Sequence, residues 1–265
     1  MRTPKIVFFD IDDTLYRKQT DTLRPSVAQA IEALKERGII TAIATGRTLA
    51  ALPNKIRRLI EDAGIDLLVT INGQYISYRG EVLDKQPLGI DNIRGICAFL
   101  KSHHIPYAFV SEKTIAVSEE IPSVSEALSV ILPNHPIDAD YFMKHEVYQM
   151  LAFYGVEQDA LVESAIAEHG FKSIRWHKQS VDMLDAEGSK ARGIALAIAK
   201  LGIAMQDVMA FGDGLNDIEM IETVGLGVAM GNAVPELKAI ADYVCPSVEE
   251  DGVLVGLQRL GVIAD

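Results

Sequence analysis

The chain has 265 residues, enough for one large domain or two smaller ones, and its 49% hydrophobic and 23% charged residues are those of a soluble globular protein. Its apolar stretches, such as Leu67–Ile71 and Val253–Leu257, are far too short to span a bilayer. A net charge of −12 argues against nucleic acid or an anionic membrane surface as partner, although a bound cation and a few placed donors can still reverse the sign locally for an anionic ligand.

The first element is the run Lys5-Ile6-Val7-Phe8-Phe9, which reads as a strand buried on both faces. It ends in Asp10-Ile11-Asp12-Asp13-Thr14-Leu15. Three crowded carboxylates repel one another, and a bound cation is the simplest compensation. The carboxyl ends of strands are where ligands bind in an open α/β sheet. Asp10 and Asp12 delivered there point to a magnesium site with a carboxylate nucleophile.

Pro25 then suits a first helical turn, with Val27, Ala30, Ile31 and Leu34 as an apolar stripe and Gly38 as a stop. Ile39–Ala44 predicts a second buried strand, ending at Thr45-Gly46-Arg47, and a helix is expected to follow and stop near Gly64. Leu67–Ile71 predicts a third strand, ending at Asn72-Gly73, and a hairpin follows around Ile76 and Val82. From Asp84 to Gly188 the strand candidates are shorter and mixed in polarity: Tyr107–Val110, Ile115–Val117, Val147–Phe153, Ser173–Trp176 and Val181–Leu184. Such strands suit an antiparallel sheet with one covered face. Helices are predicted at Ile93–Ser102, Val124–Ile131 and Ala160–His169.

The first pattern resumes at Ser189, a cap for a helix with the stripe Ala191, Ile194, Ile198 and Leu201 and a stop at Gly202. Val208–Phe211 predicts another buried strand, ending at Gly212-Asp213-Gly214-Leu215-Asn216-Asp217, and shorter elements complete the chain. The expected fold is α/β: a parallel, doubly wound core from residues 1–83 and 189–265, interrupted by an inserted α+β cap at 84–188. The six histidines are scattered through the predicted cap with no ligand spacing. Cys97 and Cys245 form no metal pattern and read as buried free thiols. No signal-like apolar region precedes Asp10, so a cytoplasmic location is expected. Nothing in the sequence sets an oligomeric state.

Four polar loops therefore sit at strand ends or a helix start: Asp10–Thr14, Thr45–Arg47, Ser189-Lys190 and Gly212–Asp217. Lys190 on a first helical turn opposes the helix dipole, which a nearby anion would explain. Together the loops supply carboxylates, an acid–base group, a fixed cation and hydroxyl or amide donors, as phosphoryl transfer requires.

These four loops, in this order, resemble the motifs of the haloacid dehalogenase superfamily of phosphohydrolases. The Asn72-Gly73 turn and the insert between the second and third motifs resemble its Cof-type branch, which carries a large α+β cap of the C2B kind. The resemblance implies Asp10 as nucleophile, forming an aspartyl-phosphate, and Asp12 as the acid that protonates the leaving oxygen and later activates water. It implies magnesium held by an Asp10 carboxylate oxygen, the Asp12 backbone carbonyl and the Asp213 carboxylate. Thr45, Gly46, Lys190 and Asn216 would hold the phosphoryl group, with Asp217 supporting. Arg47 either reaches the substrate or pairs with a surface carboxylate. Asp13 stands where the family commonly has glycine; it either tunes magnesium affinity or, in the plainer reading, caps the following turn. The expected activity is removal of phosphate from a small phosphorylated metabolite, a sugar phosphate, nucleotide or phosphorylated cofactor. The alternatives are a phosphomutase acting on a sugar phosphate and a non-catalytic phospho-ligand-binding or regulatory protein.

Overall fold

The computed structural model describes residues 3–264, and its organising element is the Ile6–Phe9 strand, whose four side chains are completely buried. This strand pairs in parallel with Val208–Gly212 on one side and Ile40–Ala44 on the other, so neither edge nor face meets water. The full sheet has eight strands, in the order Tyr243–Val244, Leu226–Ala229, Val208–Gly212, Ile6–Phe9, Ile40–Ala44, Leu67–Thr70, Tyr75–Tyr78 and Glu81–Lys85. The pairings from Tyr243–Val244 through Leu67–Thr70 are parallel, and Tyr75–Tyr78 returns antiparallel. Chain order therefore runs outward in both directions from Ile6–Phe9, and reverses between it and Val208–Gly212. In open α/β sheets this reversal leaves a crevice at the carboxyl ends of the two strands.

The flanking helices follow their sequence signals. Pro25–Glu36 starts on proline and buries Val27, Ala30, Ile31 and Leu34. Lys190–Leu201 starts where the Ser189 hydroxyl accepts the Arg192 N–H, and ends where Gly202 turns left-handed. One element differs. The Thr45–Arg47 loop leads first into a single tight turn, Leu49–Ala51, and the helix begins only at Asn54. Pro53 explains the delay, because it biases Leu52 out of the helical region.

The described residues group into two compact units: 3–46, 53–84 and 189–264 in one, 47–52 and 85–188 in the other. The second unit holds a five-stranded antiparallel sheet in the order Phe171–His177, Ser180–Asp185, Gln149–Ala152, Tyr107–Val110 and Ile115–Val117. Tyr107, Phe109, Met150, Ala152, Val181 and Met183 alternate onto one face and join Ile93, Ile96 and Leu100 of helix Ile90–Ser102 and Val162 and Ile166 of helix Asp159–Ala167. The mixed-polarity expectation holds for the half-exposed Phe171–His177 edge and for Ser180–Asp185, where Asp182 and Asp185 are half-buried beside buried Val181, Met183 and Leu184; Gln149–Ala152, Tyr107–Val110 and Ile115–Val117 are wholly buried. At the Ile115–Val117 edge the chain supplies its own cover: Val117 donates to Pro136 O and accepts from Asp138 N. Cys97, in this unit, and Cys245, in the first, are buried and unbridged, and burial pushes their thiols up to about 11 and about 12. Among the described residues no helix is long and apolar enough to cross a membrane.

One close approach fixes the Lys190–Leu201 helix against the sheet. Gly73 has φ 91°, and a Cβ there would lie 2.1 Å from Ser189 O. A Cβ at Gly193 would lie 2.5 Å from Gly73 Cα and 2.7 Å from Val69 Cγ1. Glycine inside a helix costs about 1 kcal/mol relative to alanine. Contact, not propensity, decides this position. Gly193→Ala is therefore expected to destabilise the protein by about 1–3 kcal/mol despite its better helix propensity, read as a lower urea midpoint with unchanged slope.

Candidate active site

Asp10 directly follows the Ile6–Phe9 strand, and Asp213 directly follows Val208–Gly212. Phe9 and Phe211 are register partners, and their rings stack at 5.4 Å, so the two strand ends are locked side by side. The Asp10 N–H donates to Phe211 O at 3.0 Å, which extends the ladder into the loop itself.

Lys190 enters from the first turn of its helix and is 0% exposed. Its Nζ donates to Asp10 Oδ1 at 2.6 Å and to Asp217 Oδ1 at 2.7 Å. These carboxylates are the anions that offset a cation placed against the helix dipole. Asp217 has a second duty: its Oδ2 accepts the N–H groups of Asp213 and Gly214, both at 2.9 Å, and so shapes the loop that presents Asp213. The Thr14 hydroxyl donates to Asp213 Oδ1 at 3.2 Å, joining the first acidic loop to the last.

Among the described residues the acids of this cluster outnumber its buried ammonium. Burial raises the Asp10 carboxyl to about 7; Lys190 opposes that rise, while Asp217 and Asp12 reinforce it. Asp213 is raised to about 9, first by burial, then by Asp10, Asp217 and Asp13, again opposed by Lys190. Lys190 itself is held above its ordinary value by Asp10 and Asp217 against the cost of burial. The cluster thus retains protons at neutral pH unless a further positive charge replaces them.

The donor set fits a hard divalent cation. One carboxylate oxygen each of Asp10, Asp213 and Asp217 lies within 4.8 Å of the others. All are oxygens, as magnesium prefers, and magnesium usually takes only one or two carboxylates. Both Asp217 oxygens already accept hydrogen bonds from Lys190 and the loop amides, so Asp10 and Asp213 are the better ligands. Asp12 is half-buried in the same loop, and its carboxylate is not one of the three.

Thr45 is buried, its N–H donating to Val69 O. Asn216 donates through Nδ2 to Asn72 Oδ1 at 3.0 Å, and Gly46 lies against both amides. Asp10, Lys190, Asp213 and Asp217 are thus in one cluster, and Thr45 is linked to Asn216 through Asn72. Arg47 falls in the second unit; it is 8% exposed and its Nη1 donates to Ala51 O at 2.7 Å. Asp13 occupies a turn with φ 58°, and its carboxylate meets Arg17 at 2.9 Å and Lys18 at 3.5 Å. Three polar residues escaped the sequence reading as site groups: Thr14, Asn72, and Asn232, whose Nδ2 donates to Asp13 O and whose Oδ1 accepts the Val248 N–H. Asn232 had one available signal, its place just beyond the Leu226–Ala229 strand end. The six histidines all lie in the second unit.

A family model of haloacid dehalogenase-like hydrolases matches residues 7–257. The chain is 37% identical over 261 residues to YkrA of Bacillus subtilis (strain 168), covering 98% of each. It is 27% identical over 275 residues to the pyridoxal phosphate phosphatase YbhA of Escherichia coli (strain K12), covering 95% of this chain and 96% of that one. The solved structure of the subclass IIB sugar phosphatase BT4131 superposes with a TM-score of 0.89 at 32% identity, over 98% of this chain and 100% of the other.

The raised carboxyls carry a stability consequence. A carboxyl whose folded value lies above its unfolded value of about 4 stabilises the fold at low pH and loses that contribution as pH rises through the folded value. With Asp10 at about 7 and Asp213 at about 9, the metal-free protein should melt at progressively lower temperature from pH 5 to pH 9. Added magnesium should raise the melting temperature more at pH 8.5 than at pH 5.5, since it competes with protons for the same carboxylates. Thermal melts with chelator and with magnesium across this range check both.

Proposed function

Because the chain belongs to the haloacid dehalogenase-like hydrolase family and is a phosphatase, we propose that it hydrolyses a small phosphorylated metabolite through an aspartyl-phosphate on Asp10, with magnesium as cofactor. The observation that carries this reading is the buried cluster in which Lys190 Nζ lies 2.6 Å from Asp10 Oδ1 beside Asp213 and Asp217. It joins a candidate nucleophile, a fixed cation and a cation-binding pair at the carboxyl ends of adjacent parallel strands.

An Asp10 oxygen attacks phosphorus, and the bond to the ester oxygen breaks. Asp12 delivers the proton that the departing oxygen needs, and then takes one from the water that cleaves the aspartyl-phosphate. Inorganic phosphate leaves and Asp10 is restored. Lys190 has three donors; Asp10 and Asp217 take two, and the third serves a phosphoryl oxygen. Thr45, the Gly46 backbone and the Asn216 amide complete the cradle around that group. An Asp10 oxygen, the Asp12 backbone carbonyl and Asp213 would hold magnesium, which when bound would supply positive charge to offset repulsion between nucleophile and phosphate. The likeness to a sugar phosphatase and to a pyridoxal phosphate phosphatase supports a small phosphomonoester as substrate.

A screen of phosphorylated metabolites with magnesium should find phosphate release that requires the metal. Asp10→Asn should lower it by about 10^4-fold or more while the protein stays folded. Equal activity in the two proteins would overturn the assignment of Asp10. Conversion of a sugar bisphosphate without phosphate release would point to the mutase instead.

A further inference from the structure

The turn after the Leu67–Thr70 strand has no part in the chemistry above, yet its backbone is strained. Ile71 has φ 52° and Asn72 has φ 49°, ψ 39°, and both are buried. A β-branched residue in the left-handed region is rare, and such conformations persist where the surroundings over-determine them, most often at functional sites. The surroundings here are three of the four polar loops. The Asn72 N–H donates to Thr45 O at 3.0 Å. Asn72 Oδ1 accepts from Asn216 Nδ2 at 3.0 Å. Gly73 packs against the backbone of Ser189.

Gly46 supports the same point. Its φ is not positive, yet a Cβ there would lie 3.1 Å from Asn72 Oδ1, 3.2 Å from Asn72 Nδ2 and 3.3 Å from Asn216 Nδ2. The second loop therefore closes over the amide pair with no atom between. A primary amide is planar and carries two N–H donors. Once one of them is committed to Asn72, the direction of the other is set.

We propose that Asn72 is a positioning residue for phosphate recognition: its carboxamide oxygen orients the Asn216 amide so that the second N–H faces the phosphoryl group. The left-handed turn is kept because it delivers that oxygen between the Thr45 and Asn216 loops. This rests on the reading of Asn216 as a phosphate-binding group.

The test uses inorganic phosphate as a competitive inhibitor of p-nitrophenyl phosphate hydrolysis with magnesium. Four proteins are compared with the parent: Asn72→Gly, Asn72→Ala, Asn216→Ala and the double variant Asn72→Gly/Asn216→Ala. Asn216→Ala should raise the phosphate inhibition constant about tenfold, and Asn72→Gly about fivefold. Asn72→Ala should raise it as much as Asn72→Gly but melt at a lower temperature, because only glycine relieves the left-handed backbone. In the Asn216→Ala background, Asn72→Gly should add nothing. Either Asn72 variant alone suffices for the cycle if the other does not fold. Additive effects, an unchanged constant in Asn72→Gly, or inhibition constants that follow melting temperature would overturn the positioning role and leave Asn216 as a phosphate ligand. An Asn216→Ala protein with unchanged phosphate inhibition would overturn the assignment of Asn216 itself, and this proposal with it.

Discussion

Lys190 Nζ is wholly buried, and its cost there is offset by carboxylates at 2.6 and 2.7 Å from two other parts of the chain. Removing a charge from water costs several kcal/mol even after relaxation, so a lone ammonium at this depth would destabilise the fold. Asp10 lies 180 residues away in sequence and Asp217 lies 27 away, so the pairing requires strand, helix and loop to be placed together. The pairing is also unbalanced. Asp213 joins the cluster, where among the described residues no second buried ammonium matches it, and protons or a divalent cation would make up the difference. The same imbalance that raises the Asp10 and Asp213 carboxyls makes this cluster a fit for a divalent cation.

The apolar scaffold beneath makes this tolerable. Ile6, Val7, Phe8 and Phe9 are completely buried, at about 1.5–3 kcal/mol each as an upper estimate. That gain comes immediately before the acids that oppose it. The stacked Phe9 and Phe211 rings fix the register from which Asp10 and Asp213 emerge. Beyond the strands, rigidity passes to backbone contacts: Gly73 and Gly193 bring the Lys190 helix against the turn that also carries Asn72. Carboxylates, ammonium and amides are thereby set by packing made elsewhere, as preorganised electrostatics requires.

Much of this was legible because buried parallel strands announce themselves as unbroken apolar runs. An acid or Gly-Asp pair that ends such a run has one obvious place to be. Asp217 was harder, because its two oxygens divide their work between Lys190 and the amides of its own loop, and no spacing rule encodes that division. Ile71 was illegible for a different reason: β-branched residues favour strands, so tertiary contacts override its local preference. Asn232 links Asp13 to Val248, a bond pair that only the closed fold brings into range. Arg47–Leu52 group with the second unit although they sit in sequence between two elements of the first. At the Ile115–Val117 edge the pairing partners are residues 136–138, which carry no strand signal, so this closure is set by tertiary contact and not by local pattern.

The two cysteines divide evenly: Cys97 in one unit and Cys245 in the other, each almost inaccessible and each a poor thiolate. An alkylating reagent can reach either sulfur only when its own surroundings come apart. The chain therefore carries a built-in pair of reporters. The relative speed at which the two sulfurs are capped states whether the halves open together or one at a time, with no label engineered into the protein.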